Sequence, residues 1–289
     1  MEASDVSPKR LLGLAGDGVV PDAADFSMLP IGDINNEPVA PVDLIPGEVE
    51  NPAPPPFATI QDVAVIVPVR DESANLKHVL PRLPHALGEV VVVVANGDER
   101  SVEEARRHAP EARIIRDPGN GKGLALRMGV NAARKPYVIL LDADGSMNPA
   151  EIHSFLPLIQ DGADLVKGSR NLPGGGSTDF TPVRVLGNRF LASLVNFLFG
   201  TKYTDLCYGY IAAKRSVYEA IDLESNGFNV EAELLIKAHL HKFMVQEVPS
   251  LEDRRIHGKS HLNWFRDGSQ ILMTILSLFA RHRLRRDDQ

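Results

Sequence analysis

Between residues 60 and 170, short unbroken apolar runs alternate with segments that have the polar and apolar spacing of helices. The apolar runs predict five strands, at residues 63–67, 90–94, 112–115, 137–141 and 164–167. The segments between them predict four helices, at residues 72–80, 101–108, 123–134 and 149–159. Ser101 and Glu104 have the spacing of a capping box at the start of the second helix. This order is typical of an α/β protein in which helices cover both faces of a mostly parallel sheet.

The second half of the chain is less regular. We predict a flexible loop at residues 173–177, strands at 211–213 and 245–248, and helices at 185–199, 231–241 and 264–279. The last helix is strongly apolar and precedes a basic tail of Arg281, Arg283, Arg285 and Arg286. It either buries its apolar side chains against the domain or lies on a membrane surface, where a basic tail is attracted to anionic headgroups.

Charge is unevenly distributed along the 289 residues. Residues 1–57 contain ten acidic residues, two basic residues and ten of the 21 prolines, a composition that predicts an extended or disordered leader. The rest of the chain is nearly neutral and shows no aromatic and basic face, which disfavours nucleic-acid binding. Cys207 is the only cysteine, so no internal disulfide can form. Residues 1–10 lack the apolar core of a secretory signal. We expect a cytoplasmic protein, with peripheral contact at the inner face of the membrane as an alternative.

Two carboxylates follow the fourth predicted strand, at Asp142 and Asp144. The alternation of a strand would point both side chains to the same side. Carboxylate oxygens suit Mg²⁺ or Mn²⁺, which often bridge one or two carboxylates and the phosphates of a substrate. Because α/β sheets bind ligands at the carboxyl ends of their strands, this pair is a candidate metal site. No glycine fingerprint of dinucleotide-binding proteins follows the first strand, which disfavours that function.

Several short motifs occur in a fixed order along the chain. They are Ile66-Val-Pro-Val-Arg-Asp-Glu72, Asn96-Gly97, Gly121-Lys-Gly123, Asp142-Ala-Asp144, Gly168-Ser-Arg170, Thr204-Asp205 with Gly209, and Arg255-Ile-His-Gly-Lys-Ser-His-Leu262. The series resembles family 2 glycosyltransferases of the GT-A fold, and within them the dolichol- or polyprenyl-phosphate mannose synthase branch. This resemblance implies a GT-A domain at residues 58–262, preceded by the leader at 1–57 and followed at 263–289 by the C-terminal amphipathic helix with its basic tail.

The resemblance also implies an activity: inverting, metal-dependent transfer of a hexose from a GDP- or UDP-hexose to a polyprenyl phosphate. Asp142 and Asp144 would hold the Mg²⁺ or Mn²⁺ ion. The residues implied to bind the nucleotide-sugar are Pro68, Val69, Arg70, Glu72, Asn96, Gly97, Lys122, Asp142 and Ala143. The residues implied in catalysis are Asp144, Arg170, Arg189 and Arg255, of which Arg170 and Arg189 would hold the acceptor phosphate. The sequence departs from the family pattern at Ala95 and Asn96, where acidic residues are usual, at Ser146 in place of glutamine, and at His261 in place of lysine.

The acceptor decides the mechanism. A phosphate monoester is already anionic, so positioning and electrostatics suffice and no general base is needed. An alcohol or natural-product acceptor would need a base, for which Asp205 and Glu233 are the candidates. A third interpretation is a nucleotide-sugar-binding module without turnover, and a membrane protein is an alternative partner for the C-terminal helix.

Overall fold

The computed structural model describes residues 58–260 and 263–287, so the predicted leader at 1–57 lies outside the described residues. Nine strands are present in this part of the chain. They are β1 Val63–Val69, β2 Glu89–Ala95, β3 Arg113–Asp117, β4 Tyr137–Leu140, β5 Leu165–Ser169, β6 Gly176–Ser177, β7 Ile211–Lys214, β8 Val245–Pro249 and β9 Leu251–Glu252. The helices are α1 Ser73–Val79, α2 Glu99–His108, α3 Lys122–Ala132, α4 Ile152–Gln160, α5 Pro182–Phe199, α6 Arg215–Ala220, α7 Val230–Leu240 and α8 Trp264–Asp287.

Seven of the strands form one sheet in the order β3-β2-β1-β4-β7-β5-β8. Only β7 runs antiparallel to its neighbours β4 and β5, whereas the other pairs are parallel. The predicted α/β architecture with a mostly parallel central sheet is therefore confirmed. The order of the first four strands changes direction between β1 and β4. Such a switch point opens a crevice at the carboxyl ends of the strands, where ligands bind in these folds.

The apolar strands are buried on both faces because alternate side chains enter two separate cores. On β1, Ala64 and Ile66 pack in the core that contains α3, α5, α7 and α8. Val65 and Val67 pack on the opposite side, in the core that contains α1, α2 and α4. This two-sided burial explains why these strands appear in the sequence as continuous apolar runs rather than as an alternating pattern.

Three local predictions need correction. Helix α2 begins at Glu99 rather than Ser101, because the carboxylate of Asp98 accepts the N–H of Ser101 at 3.2 Å and caps the helix. The predicted loop at 173–177 includes β6, which pairs with β9 in a second sheet of two short strands. The short helix α6 was not predicted, since its six residues are too few to show a periodic pattern.

The C-terminal helix has one buried and one exposed apolar face. Ile271, Ile275 and Leu278 are buried in the core, whereas Phe265 and Met273 are 69% and 65% exposed. One face of α8 therefore stabilises the domain while the other presents apolar side chains to solvent. Among the described helices, none combines the length and the apolar character needed to cross a bilayer.

Candidate active site

The candidate site lies along the sheet edge where β1, β2, β4 and β5 end. Strand β4 ends at Leu140, and the chain then turns through Asp142 to Gly145, which has φ +82°. Asp144 therefore lies in a turn, and strand alternation is not what brings the two aspartates together. The turn is closed by the Asp144 carboxylate, which accepts the N–H of Ser146 at 2.9 Å. Ser146 is itself buried.

Lys122 connects the first of these aspartates to a second acidic residue. Its ammonium lies 2.7 Å from Asp142 Oδ1 and 2.8 Å from Glu231 Oε1. Burial alone would lower the pKa of Lys122, but the two carboxylates raise it well above its usual value, so the lysine stays charged. Glu231, at the start of α7, was not among the predicted site residues.

Glycines allow this cluster to form. Gly121, with φ +111°, precedes α3, and a methyl group on it would lie 2.3 Å from the carbonyl oxygen of Asn226. A methyl group on Gly209 would lie 2.6 Å from the Lys122 ammonium. The glycines at these positions therefore let Lys122 lie against the neighbouring backbone. This explains why glycine occurs at residue 121 in the motif around Lys122 and at residue 209 after Thr204-Asp205.

Arg255 holds the second aspartate of the pair. Its guanidinium donates to the carboxylate of Glu72, just before α1, and lies 3.2 Å from Asp144 Oδ2. The pKa of Glu72 is raised by burial, an effect that Arg255 and Asn75 partly offset. Glu72, the aspartate pair and Arg255 thus come together from three distant parts of the chain, and once Lys122 and Glu231 are included, two cations face four carboxylates.

The remaining residues implied to bind the nucleotide line the same edge with different exposure. Arg70, Asn96 and Gly97 are exposed, Pro68 is half-buried, and Val69 and Ala143 are buried. Arg70 donates to the carbonyl of Gly119 at 3.4 Å. Asp117, at the end of β3, is buried. Its backbone carbonyl accepts the N–H of Asn96 at 2.8 Å.

Arg170 lies in a buried network of charges. Its guanidinium donates to Asp205 at 2.7 and 2.9 Å and to Glu252 at 3.0 Å, so three of its five N–H donors meet carboxylates. The rings of Phe180 and Tyr208 lie on it, 4.8 and 4.7 Å from the guanidinium carbon. Only 9% of its side chain is exposed. Arg170 therefore has a structural role in addition to any contact with a ligand.

Arg189, the other residue implied to hold the acceptor, is exposed on α5. The residue before it, Asn188, is buried and ties α5 to the Arg170 network, since its side chain donates to Asp205 at 3.0 Å and accepts the N–H of Leu206 at 3.1 Å. The structure thus places Arg189 at the surface next to a fixed anchor of α5.

Neither candidate base is available for proton transfer. Asp205 is fully buried, and although burial raises its pKa, Lys167 and Arg170 hold it down at about 2. Glu233 is buried and accepts the N–H groups of Glu224 and Ser225 at 2.9 and 2.7 Å. Both carboxylates therefore serve to fix the backbone around the site.

The carboxylates at this sheet edge fit a divalent cation whose remaining ligands come from a substrate and from water. Within residues 58–260 and 263–287, no three His, Cys, Asp or Glu side chains converge on one point that could hold a metal. Asp142 and Asp144 are partly exposed, with 28% and 17% of their side chains accessible. Mg²⁺ commonly takes one or two carboxylates and completes its shell with water and phosphate oxygens, so two carboxylates suffice.

Comparisons with known proteins find relatives along most of the described chain. The family model described as Glycosyl transferase family 2 matches residues 64–222. Polyprenol monophosphomannose synthase of Mycolicibacterium smegmatis is 32% identical over 238 residues, which cover 76% of this chain and 89% of that protein. Dolichyl-phosphate hexose transferase of Haloferax volcanii is 31% identical over 230 residues, 78% of this chain and 98% of that protein.

Solved structures show the same fold. Glucosyl-3-phosphoglycerate synthase of Mycobacterium tuberculosis, in complex with Mn²⁺, UDP and phosphoglyceric acid, superposes with a TM-score of 0.60 at 20% identity, covering 75% of this chain and 78% of that one. The same protein has been solved with Mg²⁺ and UDP, with a TM-score of 0.59. At this identity the likeness concerns the architecture alone.

Proposed function

The chain belongs to glycosyl transferase family 2 and is a glycosyltransferase, and we propose that it transfers a hexose from a nucleotide-sugar to a polyprenyl phosphate. The GT-A fold and the family predicted from the sequence are confirmed, and so is the resemblance to the polyprenyl-phosphate branch. We further propose that the donor is a GDP- or UDP-hexose, that the reaction needs Mg²⁺ or Mn²⁺, and that it inverts the anomeric carbon.

One observation supports a phosphate acceptor over an alcohol: both candidate bases are held in contacts within the protein. Asp205 is buried against Arg170 with its pKa held at about 2, and Glu233 accepts two backbone N–H groups. An alcohol needs a base to become a nucleophile, whereas a phosphate monoester already carries negative charge near neutral pH. Relatives named for polyprenol- and dolichyl-phosphate substrates support the same acceptor.

In the proposed reaction an oxygen of the acceptor phosphate attacks the anomeric carbon from the face opposite the leaving group. The bond from that carbon to the diphosphate breaks, and its electron pair leaves with the nucleoside diphosphate. No proton has to be moved, so catalysis depends on orientation and on stabilising the charge of the departing diphosphate.

Lys122 and Arg255 are the cations placed to stabilise that charge. Each lies within 3.2 Å of one of the two turn aspartates and of a second carboxylate, Glu231 for Lys122 and Glu72 for Arg255. Asp142 and Asp144 would hold Mg²⁺ or Mn²⁺, which would supply Lewis-acid neutralisation of the diphosphate charge. Lys122 and Arg255 would then keep their second carboxylate and turn their remaining donors toward the diphosphate.

Arg189 is the proposed main contact for the acceptor phosphate, and Arg170 is the proposed second one. Arginine suits a phosphate because its planar donors match two oxygens at once. Arg189 is exposed, while Arg170 keeps most of its donors on Asp205 and Glu252. We infer that Arg189 supplies the larger share of the contact.

A lipid acceptor requires that the domain approach a membrane. Helix α5 exposes a stripe of apolar side chains spaced along one face, Val183, Leu186, Phe190 and Phe197, with exposures of 54%, 72%, 56% and 85%. Helix α8 adds Phe265, Met273, Leu276 and Leu284, which are 69%, 65%, 42% and 65% exposed. We propose that these faces rest on the cytoplasmic membrane surface or on a membrane-protein partner, since exposed apolar patches mark such contacts.

The experiment that tests the proposed function is a donor screen with a matched acceptor pair. The full-length protein is given GDP- or UDP-hexoses with Mg²⁺, and release of nucleoside diphosphate is measured with a polyprenyl phosphate or with the same polyprenol lacking the phosphate. We expect one donor to be consumed rapidly with the phosphate and slowly with the polyprenol. Equal rates with both lipids, or a preference for a small alcohol, would contradict the proposed acceptor.

A further inference from the structure

Residues 252–257, called here the closing segment, run along the turn after β4 that contains Asp142 and Asp144. Glu252 forms an antiparallel bridge with Met147, and the N–H of Asp253 donates to the carbonyl of Ser146 at 2.8 Å. Further on, the N–H of Ile256 donates to the carbonyl of Asp144 at 3.1 Å. The segment that carries Arg255 is therefore attached by its backbone to the turn that carries the second metal aspartate.

Asn75 attaches the same segment to the other side of the site. Its side chain accepts the N–H of His257 at 2.9 Å and donates to the carbonyl of His257 at 3.1 Å. The same amide donates to the carboxylate of Glu72. Asn75 is only 1% exposed, so both of its amide functions are satisfied inside the protein.

These contacts bear directly on the geometry of Arg255. The guanidinium of Arg255 donates to Glu72, whose carboxylate also accepts from Asn75. Arg255 stands two residues before His257, whose backbone Asn75 holds at both polar groups. Asn75 thus fixes both the carboxylate that Arg255 contacts and the closing segment from which Arg255 projects.

We propose that Asn75 is a positioning residue that holds Arg255 at the diphosphate, an inference that rests on the proposed function. Asn75 touches no reacting atom. Its effect on the reaction passes through Glu72 and through the path of the closing segment. Displacement of a charge-stabilising group by about 1 Å can lower a rate on the order of a hundredfold, so the loss should be measurable.

The test replaces Asn75 with alanine in the full-length protein. We expect kcat to fall on the order of a hundredfold, and amide hydrogen exchange in residues 253–257 to accelerate. Binding of a Mg²⁺–nucleoside diphosphate, measured by calorimetry without acceptor, should weaken as well. A variant that folds and exchanges these amides as slowly as the wild type would overturn the proposal.

Asn196 provides a matched control. Its side chain donates to the carbonyl of Tyr203 at 2.8 Å and accepts the N–H of the same residue at 2.8 Å, the same two-sided contact at the end of α5. Asn196→Ala removes a comparable pair of hydrogen bonds and should leave nucleoside diphosphate binding and kcat unchanged. Equal losses of kcat in both alanine variants would show that general destabilisation, rather than positioning, is responsible.

A double-mutant cycle with Arg255→Ala separates positioning from an independent contribution. If Asn75 acts through Arg255, adding Asn75→Ala to Arg255→Ala should change kcat less than about twofold, because residues acting as a unit are not additive. Independent losses that multiply would contradict the proposal. The calorimetric and exchange measurements need no acceptor, so they test Asn75 even where polyprenyl phosphate fails as a substrate, an outcome that would count against the proposed function alone.

Discussion

Replacing Arg170 with alanine is expected to destabilise the fold far more than removal of an ordinary surface arginine. The variant leaves Asp205 fully buried without the guanidinium that donates to both of its carboxylate oxygens. It also removes a partner of Glu252 and the cation that contacts the rings of Phe180 and Tyr208. The substitution therefore converts a satisfied network into a buried charge with fewer partners.

The magnitude follows from the burial of the pair. Breaking a buried ion pair by removing one partner costs about 3 to 5 kcal/mol. The pKa of Asp205 points the same way, because its net fall from 3.8 to about 2 favours the ionised form in the folded protein by roughly 2 to 3 kcal/mol even after the cost of burial. We therefore expect Arg170→Ala to lower the free energy of unfolding by about 3 kcal/mol near neutral pH.

The pH dependence has a defined sign. In the wild type the pKa of Asp205 is lowered by folding, so its contribution to stability is present above the unfolded value of 3.8 and is lost as the pH falls toward about 2. Without Arg170, burial favours the protonated carboxyl of Asp205, so the loss in free energy of unfolding is smallest at low pH. The difference between the two proteins should thus shrink as the pH is lowered from 7 to 4.

Urea denaturation of both proteins at pH 7 and pH 4 measures this effect. The control is Arg184→Ala, since Arg184 pairs with Asp179 at the surface, where 37% and 48% of the two side chains are exposed. Exposed pairs contribute about 0 to 1 kcal/mol, so this variant should resemble the wild type. If Arg170→Ala also unfolds at the wild-type urea concentration, while transfer to the acceptor is lost, Arg170 acts as a ligand for the acceptor and the reasoning from the buried pair is refuted.

Three further predictions concern the site. Asp144→Asn should abolish transfer and weaken nucleotide binding in the presence of Mg²⁺, because it removes an anionic ligand, and full activity of the wild type in excess chelator would contradict this. Gly209→Ala should weaken donor binding in calorimetry, since the added methyl group would lie 2.6 Å from the ammonium of Lys122, whereas Gly187→Ala, whose added methyl group would meet nothing within 4 Å apart from its own stretch of helix α5, should bind normally. Arg189→Ala should raise the KM for polyprenyl phosphate and leave donor binding unchanged, and a loss of donor binding would assign Arg189 to the diphosphate instead.

The fold was largely predictable from local patterns. The valine run at residues 90–94 predicts a strand, because Val91 to Val94 are buried on both faces of the sheet. The aspartate pair at residues 142 and 144 could be located because it follows such a strand. Its geometry could not, since Asp144 lies in a turn whose shape depends on Gly145 and on the closing segment.

The partners within the site were not predictable, because they join distant parts of the chain. Asn75 meets His257 across 182 residues, and Arg170 meets Asp205 across 35. A sequence read alone shows Asp205 as a free carboxylate and therefore as a candidate base. Only the sheet order, which brings β5 beside β7 and β8, reveals that this carboxylate is committed to an arginine.

The most direct test of the central claim is the chemical state of the acceptor phosphate after the reaction. Polyprenyl phosphate, the donor identified by the screen, Mg²⁺ and the full-length protein are incubated and followed by ³¹P NMR. We predict that the phosphate monoester signal is replaced by a phosphodiester signal, and that chelation of Mg²⁺ prevents the change. A monoester signal that persists while the sugar is transferred to an alcohol, or conversion that proceeds unchanged in excess chelator, would contradict it.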